Sequence, residues 1–257
     1  MRRIRLIIAY DGTAYVGWQV QPNGISIQEK VEDALFALTS EKITLHGSGR
    51  TDSGVHAKAQ VAHFDTNVRM AADKFAIALN THLPPDIRVL YSEECDPDFH
   101  SRFSAKKKQY QYRIHLGRHS DVFTRSTALQ LHVIPDFDKM QQAASKVIGT
   151  HDFRAFKSTS TTMENTVRTI EESHWTKDGS FLVYSVTGNG FLYNMVRILV
   201  GTMLEIGLGR IPPESIEKAL ETHERSYAGP TAPAHGLILN RVIYEDFDTE
   251  EVLSRDR

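Results

Sequence analysis

The sequence predicts an α+β fold made of two tandem ferredoxin-like, or RRM-like, halves, each with the element order β-α-β-β-α-β. Three observations predict this fold. The elements in residues 1–104 follow that order, residues 105–257 repeat it without repeating the sequence, and no low-complexity linker separates the halves. The length of 257 residues also suits two compact subdomains, for which we take the bounds 1–104 and 105–257.

In the first half, short apolar segments without breaking residues predict four strands. These strands cover residues 4–10, 43–47, 60–65 and 88–95. Ser26 and Glu29 form the Ser-x-x-Glu pattern of a capping box, which predicts that an amphipathic helix starts there. A second helix is predicted over residues 73–83, and it ends before Pro84 because proline does not continue a helix.

The second half shows the same succession of elements. Strands are predicted over residues 109–116, 167–175, 181–186 and 237–244, and the middle two form a hairpin around Asp178 and Gly179. Helices are predicted over residues 137–148, 191–208 and 212–222. Many RNA-binding domains use the open sheet face of this unit to receive single-stranded bases.

Charge and cysteine content limit the possible partners and location. The net charge of −2 argues weakly against nucleic acid, but Phe99 to Ser120 contains six Lys or Arg and no Asp or Glu. A solvated basic strand is the commoner explanation of such a segment, and a basic groove is the alternative. Cys95 is the only cysteine, which fits a reducing cytoplasm. No apolar run approaches the roughly 20 residues that cross a bilayer.

The densest cluster of unusual residues lies between Gly47 and Ala57 and contains Asp52. Its three glycines allow a close approach of the backbone to a ligand. The cluster lacks the Gly-Lys-Ser or Gly-Lys-Thr ending of a P-loop, so we expect no nucleotide cofactor. Taken alone, an aspartate beside serine and glycine is more typical of a turn than of a catalytic site.

Arg197 lies in a mostly apolar segment that we predict to be helical. Helical spacing places Tyr193, Arg197 and Gly201 on one line. A buried guanidinium costs several kcal/mol unless a carboxylate or another acceptor pairs with it. Arg197 therefore either joins two elements as a structural ion pair or keeps a catalytic carboxylate ionised. Gly201 is expected to leave room for that partner.

Tyr110 and Tyr112 are two residues apart on a predicted strand, so they point to the same face. Next to basic residues, such rings suit stacking on nucleic-acid bases, but both are equally well explained as core residues. His115 and His119 have a possible ligand spacing, but they fall in a strand and a turn. With a single cysteine, the chain is not expected to bind a catalytic metal.

These residues resemble those of the bacterial tRNA pseudouridine synthase A family. The most specific motif is Gly49-Arg-Thr-Asp-Ser-Gly-Val-His56, and Phe191-Leu-Tyr-Asn-Met-Val-Arg197 is another. The departures lie at flanking positions, such as Tyr15 where phenylalanine is common in the family. Seven motifs occur in the family's order, at residues 10–19, 49–56, 102–112, 149–153, 168–170, 191–197 and 236–239.

The resemblance implies a role for four residues. Asp52 resembles the family's catalytic aspartate, and Arg197 resembles its buried ion-pair partner. Tyr110 resembles the tyrosine that stacks on the target uracil and assists removal of a proton. Arg50 resembles the residue that fills the space left by the flipped nucleotide.

The resemblance also implies partners and architecture. Family members are homodimers with a basic cleft for tRNA, and they need no cofactor. Their substrates are uridines at positions 38–40, in the anticodon stem-loop. For the fold, the resemblance implies antiparallel-rich mixed sheets that join across a central active-site cleft, with helices on the outer face.

Three routes remain open for Asp52, which could attack C1′, attack C6, or take a proton from the sugar. Two other classes of protein also remain. A non-catalytic RNA-binding protein with RRM-like halves explains the basic segment and the tyrosines, but it does not require Asp52 together with Arg197. A uridine N-glycosidase also uses an aspartate and a flipped base, but it releases free uracil.

Overall fold

The computed structural model describes residues 1–158 and 164–255, which form a mixed α+β protein of two compact units. The first unit combines Met1–Lys108 with Ile238–Arg257, and the second is Gln109–Leu237. The expected subdomain 105–257 differs from this division at its end, because the last strand of the chain belongs to the first unit. None of the described helices has the length and apolar character needed to cross a membrane.

The first unit begins with the predicted order of strands and helices. Its middle strand, β1, pairs antiparallel with β3 on one side and β4 on the other, and β2 pairs antiparallel with β3. The strand predicted over 43–47 is reduced to two paired residues. The elements are β1 (Arg2–Tyr10), α1 (Ile27–Thr39), β2 (His46–Gly47), β3 (His56–Thr66), α2 (Lys74–Leu79) and β4 (Ile87–Cys95).

Helix α1 starts where the sequence predicts it. The Ser26 side chain accepts a hydrogen bond from the backbone N–H of Glu29, and the Glu29 carboxylate accepts one from the backbone of Ser26. Both bonds satisfy backbone donors that the first helical turn leaves without partners. Val31 and Leu35 are fully buried, so the predicted apolar stripe faces the core.

The two faces of this sheet are packed differently. Ile4 and Arg5 are neighbours on β1 and therefore point to opposite faces. Ile4 pairs with Phe64, whose ring packs edge-on against Phe75 of α2 at 5.5 Å. On the other face, the guanidinium of Arg5 lies 3.6 Å from the ring centroid of Phe247. The C-terminal segment thus helps to cover the face that lies away from α2.

The second unit contains a β-hairpin and three helices that the sequence predicts, and two short strands that it does not. Its strands follow the order β5-β9-β8-β7, and β6 pairs parallel with β5. The elements are β5 (Lys107–Leu116), β6 (Leu129–Leu131), α3 (Phe137–Ser145), β7 (Gly149–Asp152), β8 (Val167–Asp178), β9 (Phe181–Gly188), α4 (Met195–Gly207) and α5 (Ser215–Thr222).

Helix α4 starts four residues later than the predicted start at residue 191. Asn194 has a φ of 61°, in the left-handed region, and this conformation is incompatible with a right-handed helix. Tyr193 therefore precedes the helix and is exposed. The predicted alignment of Tyr193 with Arg197 along one helical face is wrong for this reason.

The chain ends in the first unit with β10 (Leu237–Ile243) and α6 (Thr249–Arg255). Strand β10 is parallel to β3, with Ile238 opposite His56. Arg241 forms ion pairs with Asp248 and Glu250. The backbone N–H of Val242 donates to the Thr249 hydroxyl at 3.0 Å. These contacts fix the start of α6 against the strand.

Candidate active site

Asp52 lies in the loop that joins β2 to β3, and it is half-buried. The opening segment of the chain is hydrogen-bonded to this loop on both sides of Asp52. The N–H of Trp18 donates to the Thr51 carbonyl at 3.1 Å, and the N–H of Gly54 donates to the Tyr15 carbonyl at 3.3 Å. The loop conformation is therefore held by backbone groups next to the aspartate.

Two glycines of the opening segment make this close packing possible. A Cβ atom on Gly12 would lie 2.0 Å from the Val55 carbonyl oxygen, which no side chain could tolerate. Gly17 has a φ of +107°, and a Cβ there would lie 2.5 Å from the Thr51 carbonyl oxygen. The sequence draws attention to the glycines inside the Asp52 loop, but these two outside it set the approach of the neighbouring backbone.

The other end of the loop is held by β3 and by a lysine. The hydroxyl of Ser48 donates to the Gln60 side chain at 2.6 Å, and the Gln60 amide donates to the Gly49 carbonyl at 2.8 Å. Lys108 donates to the Ser48 carbonyl at 2.7 Å. Gln60 is fully buried. Neither Gln60 nor Lys108 is singled out by the sequence as a part of the site.

Tyr10 anchors the residue before Asp52. Its hydroxyl lies 2.8 Å from the Thr51 hydroxyl, and both groups are buried. Burial raises the pKa of Tyr10, although hydrogen bonds with Thr51 and Gln60 oppose the rise. The tyrosine is therefore a neutral hydrogen-bonding group at physiological pH and not a base.

Arg50 extends into solvent from the same loop, and a chain of two glutamines orients it. Its Nε donates to the Gln19 side-chain oxygen at 3.3 Å. The Gln19 amide donates to Gln28 at 3.0 Å, and the Gln28 amide donates to the Leu45 carbonyl at 3.1 Å. Because Gln28 is buried, this chain links an exposed guanidinium to the protein core.

Arg197 lies in the first turn of α4 and is half-buried. Its Nε donates to the Ala232 carbonyl at 2.7 Å, and its Nη1 donates to the Asn194 side chain at 2.9 Å. The expected role of Gly201 is wrong. A Cβ at Gly201 would lie 1.8 Å from the Pro230 carbonyl oxygen, so this glycine makes room for the backbone before Ala232.

The two tyrosines of β5 have different surroundings. Tyr110 is 8% exposed, and its ring packs edge-on against Phe191 with centroids 5.1 Å apart. Tyr112 is fully buried, and its hydroxyl donates to the Pro233 carbonyl at 2.9 Å. Burial raises the pKa of Tyr112, and the nearby charge of Arg197 partly opposes the rise. Tyr112 is a core residue that lies close to Arg197.

The predicted residues thus fall into two groups. Asp52 and Arg50 share one loop of the first unit. Tyr110 on β5 and Arg197 on α4 belong to the second unit. Among residues 1–158 and 164–255, no three His, Cys, Asp or Glu side chains are grouped so that they could hold a metal ion.

The first unit also contains a pocket of about 750 Å³ between the sheet and α6. Its lining mixes cationic Lys58 and Arg88 with acidic Asp11, Asp86 and Glu250. Mixed charges of this kind give no preference for an anionic or a cationic ligand. We therefore place the candidate chemistry at the Asp52 loop and not in this pocket.

Comparison with known proteins finds close relatives. The sequence profile of a family described as tRNA pseudouridine synthase matches residues 6–104 and 143–245. The chain is 46% identical over 248 residues to the tRNA pseudouridine synthase A of an Exiguobacterium species, covering 96% of this chain and 100% of that protein. It is 45% identical over 246 residues to the Bacillus subtilis protein of that name, covering 95% and 100%.

A third relative is the tRNA pseudouridine synthase A of Halalkalibacterium halodurans, with 46% identity over 242 residues. The match covers 94% of this chain and 92% of that protein. Among solved structures, a Cbf5-Nop10-Gar1 complex matches with a TM-score of 0.36 and 13% identity, covering 78% of this chain and 45% of that chain. That likeness is too low to support an argument.

Proposed function

Because this chain belongs to the tRNA pseudouridine synthase family, we propose that it isomerises uridine to pseudouridine in tRNA, with Asp52 as its catalytic carboxylate. The observation that carries the proposal is the position of Asp52. It lies in a matched segment of the family, on a loop that is hydrogen-bonded to the protein on both sides. A catalytic group gains from such a fixed position because little reorganisation is then needed during the reaction.

The chemistry is an isomerisation and balances without a co-reactant. The N1–C1′ bond breaks, the uracil turns, a C5–C1′ bond forms, C5 loses its proton to the solvent, and N1 gains a proton from it. An ionised carboxylate serves any of the three routes open to it: attack on C1′, attack on C6, or removal of a proton from the sugar. The uracil must leave the base stack first, which costs a few kcal/mol.

Three further residues have roles in this proposal. Arg197 is the electrostatic partner that keeps Asp52 ionised, and its fixed guanidinium on α4 supports this role. Tyr110 stacks on the extruded uracil and assists the loss of the C5 proton. Arg50 fills the space that the uridine leaves, and its exposed position on the Asp52 loop suits that task.

The finer points of the proposal rest on the resemblance to the family. We place the target uridines at positions 38–40 of the anticodon stem-loop, the enzyme in the cytoplasm, and the active form as a homodimer. We also interpret the two units as tandem ferredoxin-like halves. The pairing of β1 with β4 and β3, and of β2 with β3, supports this interpretation, because the four strands of a β-α-β-β-α-β unit share one sheet; β10 is a further neighbour of β3.

The proposal is tested with unmodified tRNA that carries tritium at C5 of uridine. The purified protein, without added cofactor, should release tritium, and mapping should find pseudouridine at positions 38–40. Asp52→Ala should lower the rate on the order of 10⁴-fold or more while tRNA affinity stays within about threefold. Full activity of a clean Asp52→Ala preparation would overturn the assignment.

The same assay separates the two alternatives. A non-catalytic RNA-binding protein would bind the tRNA and release no tritium. A uridine N-glycosidase would liberate free uracil and leave an abasic site in the RNA. The synthase should retain all of the uracil in the RNA.

A further inference from the structure

A short loop between β4 and β5, residues 99–104, is rigidly built. The N–H of His100 donates to the Ser104 hydroxyl at 3.0 Å, and the N–H of Ser104 donates back to the His100 carbonyl at 2.9 Å. The His100 ring accepts from the N–H of Arg102 at 3.1 Å. The loop therefore presents its next residue, Phe103, in a defined position.

Phe103 is exposed over 76% of its surface, and its ring contacts the ring of His100. Its centroid lies 4.4 Å from that of His100, and the His100 centroid lies 4.8 Å from that of the buried His63. His46 stacks on His63 at 5.1 Å and lies 5.7 Å from His100. We call Phe103, His100, His46 and Arg102 the ring platform, and His63 lies beneath it.

The base of the ring platform is anchored in the core. The N–H of Ser101 donates to His63 at 3.2 Å, and the Ser101 hydroxyl donates to the His46 carbonyl at 2.5 Å. The buried Tyr244 hydroxyl donates to the Ser101 carbonyl at 2.6 Å. An aromatic ring held so firmly and left so exposed has a face available for contact with a partner.

The charge of the ring platform favours a partner with bases and phosphates. Burial lowers the pKa of His63 to about 4 and also lowers that of His100, so both rings are neutral near pH 7. The cation is Arg102, which is exposed and whose guanidinium lies 5.6 Å from the Phe103 ring centroid. A neutral aromatic face with a cation at its edge is the arrangement that binds single-stranded nucleic acid.

The ring platform is also continuous with the candidate active site. His46 is in β2, and the chain passes from His46 through Gly47 directly into the Asp52 loop. The segment Phe99 to Ser120, which contains Arg102 and Phe103, has six Lys or Arg and no Asp or Glu. Within the first unit, Lys108 of this segment contacts the loop through the Ser48 carbonyl, so a polyanion bound at the loop would lie near that cation.

We propose that the ring platform is a second RNA contact, where Phe103 stacks on an unpaired base outside the catalytic site and Arg102 binds the neighbouring phosphate. The identity of that RNA as tRNA rests on the proposed function. The stacking itself depends only on the geometry and charge of these side chains. Stacking needs no particular base, so the contact contributes to affinity and placement and not to recognition of one sequence.

The test compares Phe103→Ala with Phe36→Ala, which removes a ring of 58% exposure from α1 in the same unit. Phe103→Ala should weaken binding of an unmodified tRNA transcript about fivefold to a hundredfold. Phe36→Ala should leave the affinity unchanged. At saturating tRNA, kcat of Phe103→Ala should stay within about twofold of the unmodified protein, because the chemistry lies elsewhere. Phe103→Tyr should restore most of the affinity.

A second measurement detects stacking directly. Phe103→Trp places an indole at this position, and its fluorescence should be quenched when tRNA binds. Trp18 and Trp175, the only other indoles, are buried. Arg102→Gln should reduce the dependence of binding on salt by the equivalent of about one phosphate contact.

Two results would overturn the proposal. One is an affinity of Phe103→Ala that equals that of Phe36→Ala. The other is tryptophan fluorescence of Phe103→Trp that stays unquenched at saturating tRNA. A protein would then be the partner to test at the ring platform. Failure of the proposed function is distinguishable, because it would appear as absent turnover in the unmodified protein whatever the binding data show.

Discussion

The loop around Asp52 and the first turns of α4 each carry a charged candidate residue, but the two segments are held by different groups. Around Asp52, backbone groups of Ser48, Gly49, Thr51 and Gly54 are hydrogen-bonded to residues outside the loop. At α4, Arg197 itself donates to a backbone carbonyl and to a neighbouring side chain. The loop around Asp52 is held in part by the groups that surround it, and the start of α4 is held in part by the Arg197 side chain itself.

This difference predicts how substitutions at the two residues affect local structure, stability and activity. A change at Asp52 removes a carboxylate and leaves the surrounding backbone bonds in place. A change at Arg197 removes the charge and two hydrogen bonds of the local structure at once. The backbone hydrogen bonds around Asp52 should therefore survive a substitution of that residue, whereas a substitution of Arg197 should lower activity and stability together.

The strongest test of the comparison is Arg197→Met. The substitution leaves the carbonyl of Ala232 and the side chain of Asn194 without their donor, so the free energy of unfolding should fall by about 2–4 kcal/mol. Pseudouridine formation should fall as well. Urea unfolding and a single-turnover assay on the same preparation measure the two effects.

Arg210→Met is the matched control, because Arg210 lies just beyond the end of α4 and its own side chain, which pairs with Glu205, is largely exposed. Its stability should stay within about 0.5 kcal/mol of the unmodified protein. If Arg197→Met leaves the free energy of unfolding unchanged, the guanidinium does not stabilise the start of α4. The contrast between this segment and the Asp52 loop would then be wrong.

Gly12→Ala should disturb the Asp52 loop through the backbone. The new methyl group would displace the Val55 carbonyl, and the N–H of Val55 is bonded to the Asp52 carbonyl at 3.1 Å. We expect a loss of about 1–3 kcal/mol in stability and a lower kcat with little change in tRNA affinity. Gly49→Ala is the control for stability, since its methyl group meets only the flexible end of Lys108 at 3.3 Å. Equal losses in both variants would contradict the steric argument.

Acid should weaken the first unit through His63. Its pKa is lowered from 6.5 to about 4 by burial and by nearby positive charge, so the unfolded chain binds more protons between these values. The stabilisation is therefore complete above pH 6.5 and is lost as the pH falls toward 4. Between pH 7 and pH 5, stability should fall on the order of 1–3 kcal/mol.

Urea unfolding of the unmodified protein and of His63→Gln at both pH values measures this contribution. The variant is expected to lose less stability on acidification, whatever its stability at pH 7. An identical loss in both proteins would assign the pH dependence to other groups.

The smallest effect is expected at Gln19, which orients Arg50 without holding the loop. Gln19→Ala removes its hydrogen bonds to Arg50 and to Gln28, and the Gln28 side-chain oxygen keeps the Val20 N–H as a donor. We therefore expect kcat/KM to fall about twofold to tenfold while the unfolding midpoint changes little. Gln21→Ala is the control, because the Gln21 side chain is exposed and donates to the Val16 carbonyl and not to Arg50. A loss of stability in Gln19→Ala would show that the glutamine chain is structural.

Local signals account for the parts of the fold that the sequence predicts well. The capping box at Ser26 and Glu29 forms as expected, because its two bonds are made within four residues. The β8–β9 hairpin follows from its turn, where Gly179 has a φ of +58°. Strands β6 and β7 have only three and four residues, which is too short for a periodic pattern to be recognised.

The candidate site shows the same division between local and distant contacts. Asp52 and Arg197 are recognisable because they lie in motifs of contiguous residues. Gln60 and Lys108 hold the Asp52 loop from positions that are close only after folding. One signal in the sequence could have marked Gln60, because it is a polar residue between the apolar Ala59 and Val61 on a predicted strand. The sequence does not indicate the role of Gly201, because the residue that occupies the space beside it, Pro230, is distant in the chain.

The pairing of β10 with β3 affects how the protein is made. Ile238 and Leu239 lie beside His56 and Ala57, the first residues after the Asp52 loop. During translation, every proposed catalytic residue leaves the ribosome before this last strand does. A nascent or truncated chain that ends before Ile238 therefore lacks the parallel neighbour of the strand that follows Asp52. The sheet beside the Asp52 loop is therefore complete only after β10 has been synthesised.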